Sequence, residues 1–107
     1  LLFVFGREII EREKCRAAFT LITNLAQSKA KSWMVCGFQK LEDIVTEMSL
    51  KAGGNLRIGF ENNLYSSNGE LAKNNEDRIS EVKKMIQTNE RVIAKYDQVV
   101  YLLEPDW

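Results

Sequence analysis

The feature that most constrains the fold is the alternation of short apolar runs with amphipathic stretches. Apolar runs occupy residues 1–5 and 33–38, and after each one the apolar side chains recur at every third or fourth position. A continuous apolar run of this length is typical of a strand buried on both faces, whereas the wider spacing predicts a helix with one solvated face. A third strand at 56–61 and a long helix at 75–95 extend the order to β-α-β-α-β-α.

This order favours parallel strands joined by helical crossovers, and therefore an α/β fold. The first two helices are predicted at 11–27 and 41–52, and Gly53 is expected to close the second in a left-handed conformation. Asn74 is placed to cap the third helix. The tail beyond residue 97 fits either a strand or an irregular cover.

Composition removes several classes of function. The 107 residues carry 15 Lys+Arg and 15 Asp+Glu, and this zero net charge argues against a nucleic-acid-binding protein. No stretch reaches the roughly 20 apolar residues of a membrane span. The chain contains no histidine, so His-dependent triads and His-only zinc sites are excluded within it. Cys15 and Cys36 are expected to be reduced and buried, which favours a cytoplasmic protein.

The predicted third strand separates charged from apolar side chains. Because side chains alternate between the faces of a strand, Arg57 and Glu61 share the face opposite Leu56, Ile58 and Phe60. In an open sheet this is a solvated Arg–Glu pair of little energetic weight. In a closed β/α barrel the same face is the interior, and catalytic groups stand at the carboxyl ends of its strands. The pattern alone leaves both interpretations open.

A block around this strand resembles a known family. Residues 54–65 run Gly-Asn-Leu-Arg-Ile-Gly-Phe-Glu-Asn-Asn-Leu-Tyr, followed by Gly-Glu-Leu-Ala at 69–72 and by Asn74. The block is similar to the C-terminal part of the β-keto acid cleavage enzymes, where the pattern is Gly-Gly-x-x-Arg-Val-Gly-Leu-Glu-Asp-Asn-x-Tyr and then Gly-x-Leu-Ala. The closer match covers about 33–86, and 1–32 fits more loosely.

The resemblance implies a fold and an activity. It implies a (β/α)₈ TIM barrel, of which residues 1–107 would form a C-terminal portion with the last three βα units. The start at Leu1, in an apolar run, also suggests a piece of a larger protein. The implied enzyme is a zinc-dependent acyltransferase that cleaves a C–C bond, converting a β-keto acid and acetyl-CoA into acetoacetate and an acyl-CoA. A homo-oligomer with no nucleic-acid or membrane partner is expected for the full-length protein.

The resemblance also implies roles for individual residues. Glu61 matches the metal ligand, which two histidines outside this chain would complete, so the chain alone is expected to be inactive. Arg57 and Asn62 match catalytic positions, and Asn63 and Ser66 are predicted to contact substrate. Asn62 stands where the family commonly has Asp, and an amide cannot take a proton as a carboxylate does.

Two alternatives of other classes stay open. A non-catalytic paralogue would keep the fold without the chemistry, as the amide at Asn62 suggests. A stand-alone α/β interaction module without metal is disfavoured, because three parallel strands with helices on one face leave the other face and both edges uncovered.

Overall fold

A computed structural model describes residues 1–6, 12–29 and 32–103. The elements follow in the order β1 (Leu2–Phe5), α1 (Arg12–Lys29), β2 (Met34–Gly37), α2 (Leu41–Ala52), β3 (Asn55–Leu56), α3 (Asn75–Thr88) and α4 (Tyr96–Leu103). The predicted start of the first helix at residue 11 lies outside the described residues. None of the described helices is long and apolar enough to cross a membrane.

The three strands form one parallel sheet in the order β1-β2-β3. Leu2 pairs with Met34 at the start of β1, and Met34 pairs with Asn55 on its other side, so β2 is the central strand. These pairings confirm the predicted α/β class and the parallel direction of the strands. Within the described residues the sheet is open.

The core lies between the sheet and the helices α1 and α2. Phe19 of α1 sits 6.0 Å, between ring centroids, from both Phe5 and Trp33. The buried face of α1 carries Thr23 and Ala26, whereas Leu25 is exposed. The buried core cluster comprises Phe5, Cys15, Phe19, Ala26, Trp33, Val35, Leu41 and Val45. Cys15 and Cys36 are both free and buried, as predicted.

Gly53 and Gly54 bring the chain from α2 back to the sheet. Gly53 adopts the predicted left-handed conformation with φ 86°, which is natural for glycine at a helix end. Gly54 packs so closely that an added Cβ would overlap the ring of Trp33 and the hydroxyl of Ser49. This pair therefore sets where β3 begins.

The third strand is shorter than predicted. It spans Asn55–Leu56 instead of 56–61, and its last ladder bond runs from the Arg57 N–H to the Val35 carbonyl at 2.9 Å. Beyond this point β2 itself turns towards α2, so the chain after Arg57 has no strand to pair with among the described residues. The following residues form a turn, and it is this turn that places Glu61.

The C-terminal part also differs from the prediction. Helix α3 ends at Thr88 and not at 95, because Glu90 takes a left-handed φ of 56° and the Arg91 N–H bonds the Ile86 carbonyl at 3.0 Å. The guanidinium of Arg91 then binds the carbonyls of Leu50 and Gly54 at 3.0 and 3.2 Å. No local sequence pattern predicts the left-handed conformation of Glu90 or the contacts of the Arg91 guanidinium.

The tail is a helix, not a strand or an irregular cover. The Gln98 side chain accepts a hydrogen bond from the Lys95 N–H at 2.8 Å, which satisfies an otherwise unpaired donor at the start of α4. The Ser32 hydroxyl donates to the Leu102 carbonyl at 3.1 Å and ties the end of α4 to the segment before β2.

Candidate functional site

The turn that follows β3 carries most of the predicted site residues. The Asn62 and Asn63 N–H groups both bond the Gly59 carbonyl, at 3.0 and 3.3 Å. The Phe60 N–H donates to the side chain of Asn75, the first residue of α3, at 2.9 Å. These bonds fold the turn around a cavity of about 360 Å³ whose lining residues are Arg57, Ile58, Gly59, Phe60, Glu61, Asn62 and Asn75.

Arg57 and Glu61 form an ion pair at this cavity. Their side chains are 45% and 64% exposed, so within the described residues the pair faces solvent. The hydrogen bond and the negative charge of Glu61 raise the pKa of Arg57. Arg57 also lies against the buried thiol of Cys36, with Nη1 3.9 Å from Sγ. The predicted pair therefore forms, although the turn brings the two residues together and the alternation of a strand does not.

Asn62 is the most unusual residue of the cavity. Its side chain is only 4% exposed, yet neither Oδ1 nor Nδ2 has a hydrogen-bond partner among the described residues. Burying an unpaired amide costs free energy, about 1–3 kcal/mol for each such group. Its backbone is firmly held, since the Asn62 carbonyl accepts from the Gln39 N–H at 2.8 Å. The amide thus has a buried donor and a buried acceptor without partners among the described residues, in a residue that lines the cavity with Arg57 and Glu61.

Asn63 points into the protein and not towards the cavity. Its Nδ2 donates to Oε1 of Glu42 at 3.4 Å and to the Tyr65 carbonyl at 3.1 Å. Its Oδ1 accepts from the Tyr65 N–H at 3.0 Å. Both ends of the amide are thus used internally, and Asn63 lines the neighbouring cavity, which also contains Ser66.

Glu42 belongs to a buried charge cluster that the sequence interpretation missed. Glu42 and Arg78 are 0% and 1% exposed, and Arg78 Nη2 lies 2.5 Å from Glu42 Oε1. Arg78 also binds Asp43 at 3.0 Å and Glu81 at 2.5 Å. Burial alone would lower the pKa of Arg78, but the hydrogen bonds that Arg78 donates to Glu42 and Asp43 outweigh it and raise that pKa above its ordinary value. Arg78 lies one helical turn before the buried Val82, and that spacing was the available signal.

Ser66 lies in a neighbouring cavity. This second cavity, of about 570 Å³, is lined by Gln39, Lys40, Asp43, Asn63, Tyr65, Ser66, Ser67, Asn68 and Gly69. The Ser66 N–H donates to the Glu70 carbonyl at 2.8 Å, which closes the loop that forms the cavity wall. The structure therefore groups Arg57, Glu61 and Asn62 in one cavity and places Ser66 in another.

The described side chains do not fit a zinc ion by themselves. Across the described ranges, no group of three His, Cys, Asp or Glu side chains is arranged to hold a metal ion. A zinc site needs four ligands of nitrogen, sulfur or oxygen, or three with an open position, and Glu61 supplies one. Any further ligands would have to come from outside these residues.

Comparison with known proteins gives consistent results. The family model described as beta-keto acid cleavage enzyme matches residues 1–104. Over 75 residues, or 70% of the chain, the sequence is 29% identical to a 3-keto-5-aminohexanoate cleavage enzyme of Fusobacterium nucleatum subsp. nucleatum. That match covers only 28% of the relative's own length.

Proposed function

The chain belongs to the beta-keto acid cleavage enzyme family, and from this membership we propose that its residues form part of an enzyme that cleaves β-keto acids. The reaction we propose joins a β-keto acid with acetyl-CoA and yields acetoacetate and a new acyl-CoA. In this exchange the C2–C3 bond of the keto acid and the thioester of acetyl-CoA both break. The acyl part of the keto acid becomes the new thioester of coenzyme A, and its CH2–carboxylate part bonds to the acetyl group to give acetoacetate.

The observation that carries the proposal is the free amide of Asn62 beside Arg57 and Glu61 in one cavity. Buried polar groups without partners are rare in native proteins and often mark functional sites. A keto acid carries a carboxylate and a carbonyl oxygen, both hydrogen-bond acceptors. The guanidinium of Arg57 and the Nδ2 donor of Asn62 suit these two oxygens.

The proposed roles follow from the chemistry of each side chain. Arg57, held by Glu61, binds the negative charge of the keto acid and stabilises charge that develops on it. Asn62 orients the substrate through its free donor and acceptor, and it does not act as a base because an amide does not take a proton at neutral pH. A residue that accepts a proton in the reaction would therefore have to be another one.

Zinc enters the proposal only as an ion held jointly by Glu61 and two histidines outside this chain. The roles proposed for Arg57 and Asn62 do not depend on zinc. In the full-length protein, Glu61→Gln is expected to lower the bound zinc per chain, measured by atomic emission. Glu70→Gln, an exposed carboxylate of the next loop, serves as the control. Equal zinc in both variants would count against Glu61 as a ligand.

The second cavity is the proposed place for the acetyl-CoA partner. Lys40 and the hydroxyls of Ser66 and Ser67 line it, and a cation with hydroxyl donors suits an anionic phosphate group. Ser66 remains in this proposal as a substrate-binding residue.

We also propose the architecture, assembly and location of the full-length protein. Residues 1–107 would form three βα units of a (β/α)₈ barrel, and that barrel would be a single domain. The full-length protein would be a homo-oligomer in the cytoplasm. The parallel open sheet and family membership support the barrel. The two buried free cysteines support a reducing compartment.

Steady-state kinetics of the full-length protein test the function. Asn62→Ala should lower kcat/KM for the keto acid about tenfold or more, since it removes hydrogen bonds worth roughly 1–2 kcal/mol each. Asn24→Ala, which changes the same residue type at an exposed position of α1, should leave kcat/KM within about twofold of the unsubstituted protein.

Two results would contradict the proposal. Equal kinetics of the Asn62 and Asn24 variants would remove Asn62 from the site. A folded, metal-loaded protein that turns over no β-keto acid with acetyl-CoA would favour a non-catalytic paralogue.

A further inference from the structure

We propose that Glu42, Asn63 and Arg78 act together as positioning residues that hold the turn after β3 in its working shape, an inference that rests on the proposed function. These three residues are called the Glu42–Asn63–Arg78 cluster below. They come from α2, from the turn and from α3, so the cluster joins the three segments around the two cavities.

The cluster is a continuous buried chain of polar contacts. Oε1 of Glu42 receives both Nη2 of Arg78, at 2.5 Å, and Nδ2 of Asn63, at 3.4 Å. All three residues are at most 5% exposed. The side chain of Asn63 then accepts a hydrogen bond from the Tyr65 N–H at 3.0 Å and donates one to the Tyr65 carbonyl at 3.1 Å. The position of this short segment is therefore set from inside the protein.

The charges of the cluster favour one arrangement of its residues over others. Arg78 faces three carboxylates, those of Glu42, Asp43 and Glu81. An ion pair taken out of water gives little net stability compared with apolar packing, and its better-attested value is to select one arrangement over others. The guanidinium of Arg78 reaches carboxylates on two helices with donors in a fixed planar arrangement, whereas the donors of a lysine ammonium rotate freely and specify less geometry.

The cluster acts on the first cavity through the covalent chain. Asn63 follows Asn62 directly, and the Asn62 carbonyl is held by the Gln39 N–H at 2.8 Å. On the far side, the Ser67 N–H approaches both carboxylate oxygens of Glu81 at 3.4 Å, and Glu81 is itself bound to Arg78. The segment 62–67 is thus fixed at its start, its middle and its end. A shift of about 1 Å in a catalytic segment can reduce rate as much as a hundredfold.

Hydrogen–deuterium exchange of the full-length protein, combined with kinetics, tests this inference. In Glu42→Gln and Asn63→Ala, the backbone amides of 62–67 should exchange at least about tenfold faster, while those of β2 change less than about threefold. The kcat for the keto acid should fall about tenfold or more in both variants. A purely structural role would leave the kcat of the folded protein unchanged.

Two control variants carry the same kinds of change at exposed positions outside both cavities. Glu47→Gln removes an exposed carboxylate of α2 that pairs with Lys51, and Asn24→Ala changes an exposed amide of α1. Neither control should alter local exchange or kcat. If Asn63→Ala fails to fold, Glu42→Gln, which preserves shape, decides alone.

The outcomes separate this inference from the proposed function. Exchange that is unchanged in 62–67, or that rises equally in β2, overturns the positioning role. Faster local exchange with unchanged kcat overturns it as well. If the unsubstituted protein shows no turnover, the proposed function fails, and the exchange comparison still decides whether the cluster holds the turn.

Discussion

Asn62 and Asn63 are identical residues next to each other in the sequence, but the fold gives their side chains different hydrogen bonding. Both are buried, but Asn62 has no side-chain hydrogen bond among the described residues and Asn63 has three. The sequence places both next to Glu61 and predicts that both belong to a site. The sequence alone does not show which of the two side chains belongs to the cavity of Arg57 and Glu61. The turn geometry that separates them depends on Gly59 and on contacts with α2 and α3.

This contrast predicts different effects of the same substitution on stability. Asn63→Ala should lower the free energy of unfolding by about 1–3 kcal/mol, because it removes the side-chain hydrogen bonds to Glu42 and to the Tyr65 backbone. Asn62→Ala should not lower it, because no hydrogen bond is lost and two buried polar groups without partners are removed. Urea unfolding of the two full-length variants measures both values. Equal losses would mean that the amide of Asn62 is paired after all.

At the scale of elements, the sequence predicts the order and type of β1 to α3 well and their ends less well. Helix α2 at 41–52 and the cap at Asn74, whose side chain accepts from the Asp77 N–H at 2.9 Å, are confirmed. The ends of β3 and α3 depend on contacts between distant residues, such as Arg91 with the Leu50 carbonyl. No local pattern encodes such contacts.

The link between α2 and α3 also escaped prediction. Charged residues on helices are mostly solvated, so Glu42 and Arg78 were assigned no inward role. Their pairing across two helices depends on the packing angle of α3, which periodicity does not report.

Removing the positive charge of Arg78 should lower the stability of the protein. Arg78→Met leaves the buried Glu42 without its partner and is expected to lower the free energy of unfolding by about 3–5 kcal/mol. Lys51→Met is the matched control, since its ion pair with Glu47 has side chains 64% and 44% exposed. It should cost less than about 1 kcal/mol. Similar losses in the two variants, measured by urea unfolding of the full-length protein, would show that the Arg78 contacts contribute no more than a surface pair.

At the scale of the whole molecule, one face of the sheet is incompletely covered by the described residues. In β1, Phe5 is buried in the core, whereas Leu2 and Val4 point the other way and are 46% and 57% exposed. Such alternation with apolar residues on both faces is typical of strands that are covered on both sides. The sequence predicts this two-sided burial from the run 1–5, but the residues that would cover the second face are not among those described.

This surface predicts the behaviour of the 107 residues expressed alone. They should self-associate and bind a hydrophobic dye, because exposed apolar strands at a sheet edge favour pairing with other chains. Size-exclusion chromatography with light scattering measures the association. A monomer with a single cooperative thermal transition would argue against a barrel completed by further residues, and would favour an independent interaction module.

The unpaired amide of Asn62 has a consequence for ligand affinity. Both polar atoms of this side chain are enclosed by the protein, and the Asn62 carbonyl is held by the Gln39 N–H. Under the proposed function, a side chain already confined in this way loses little rotational freedom when a polar molecule binds beside it. Such preorganisation lowers the entropic cost of binding and favours affinity.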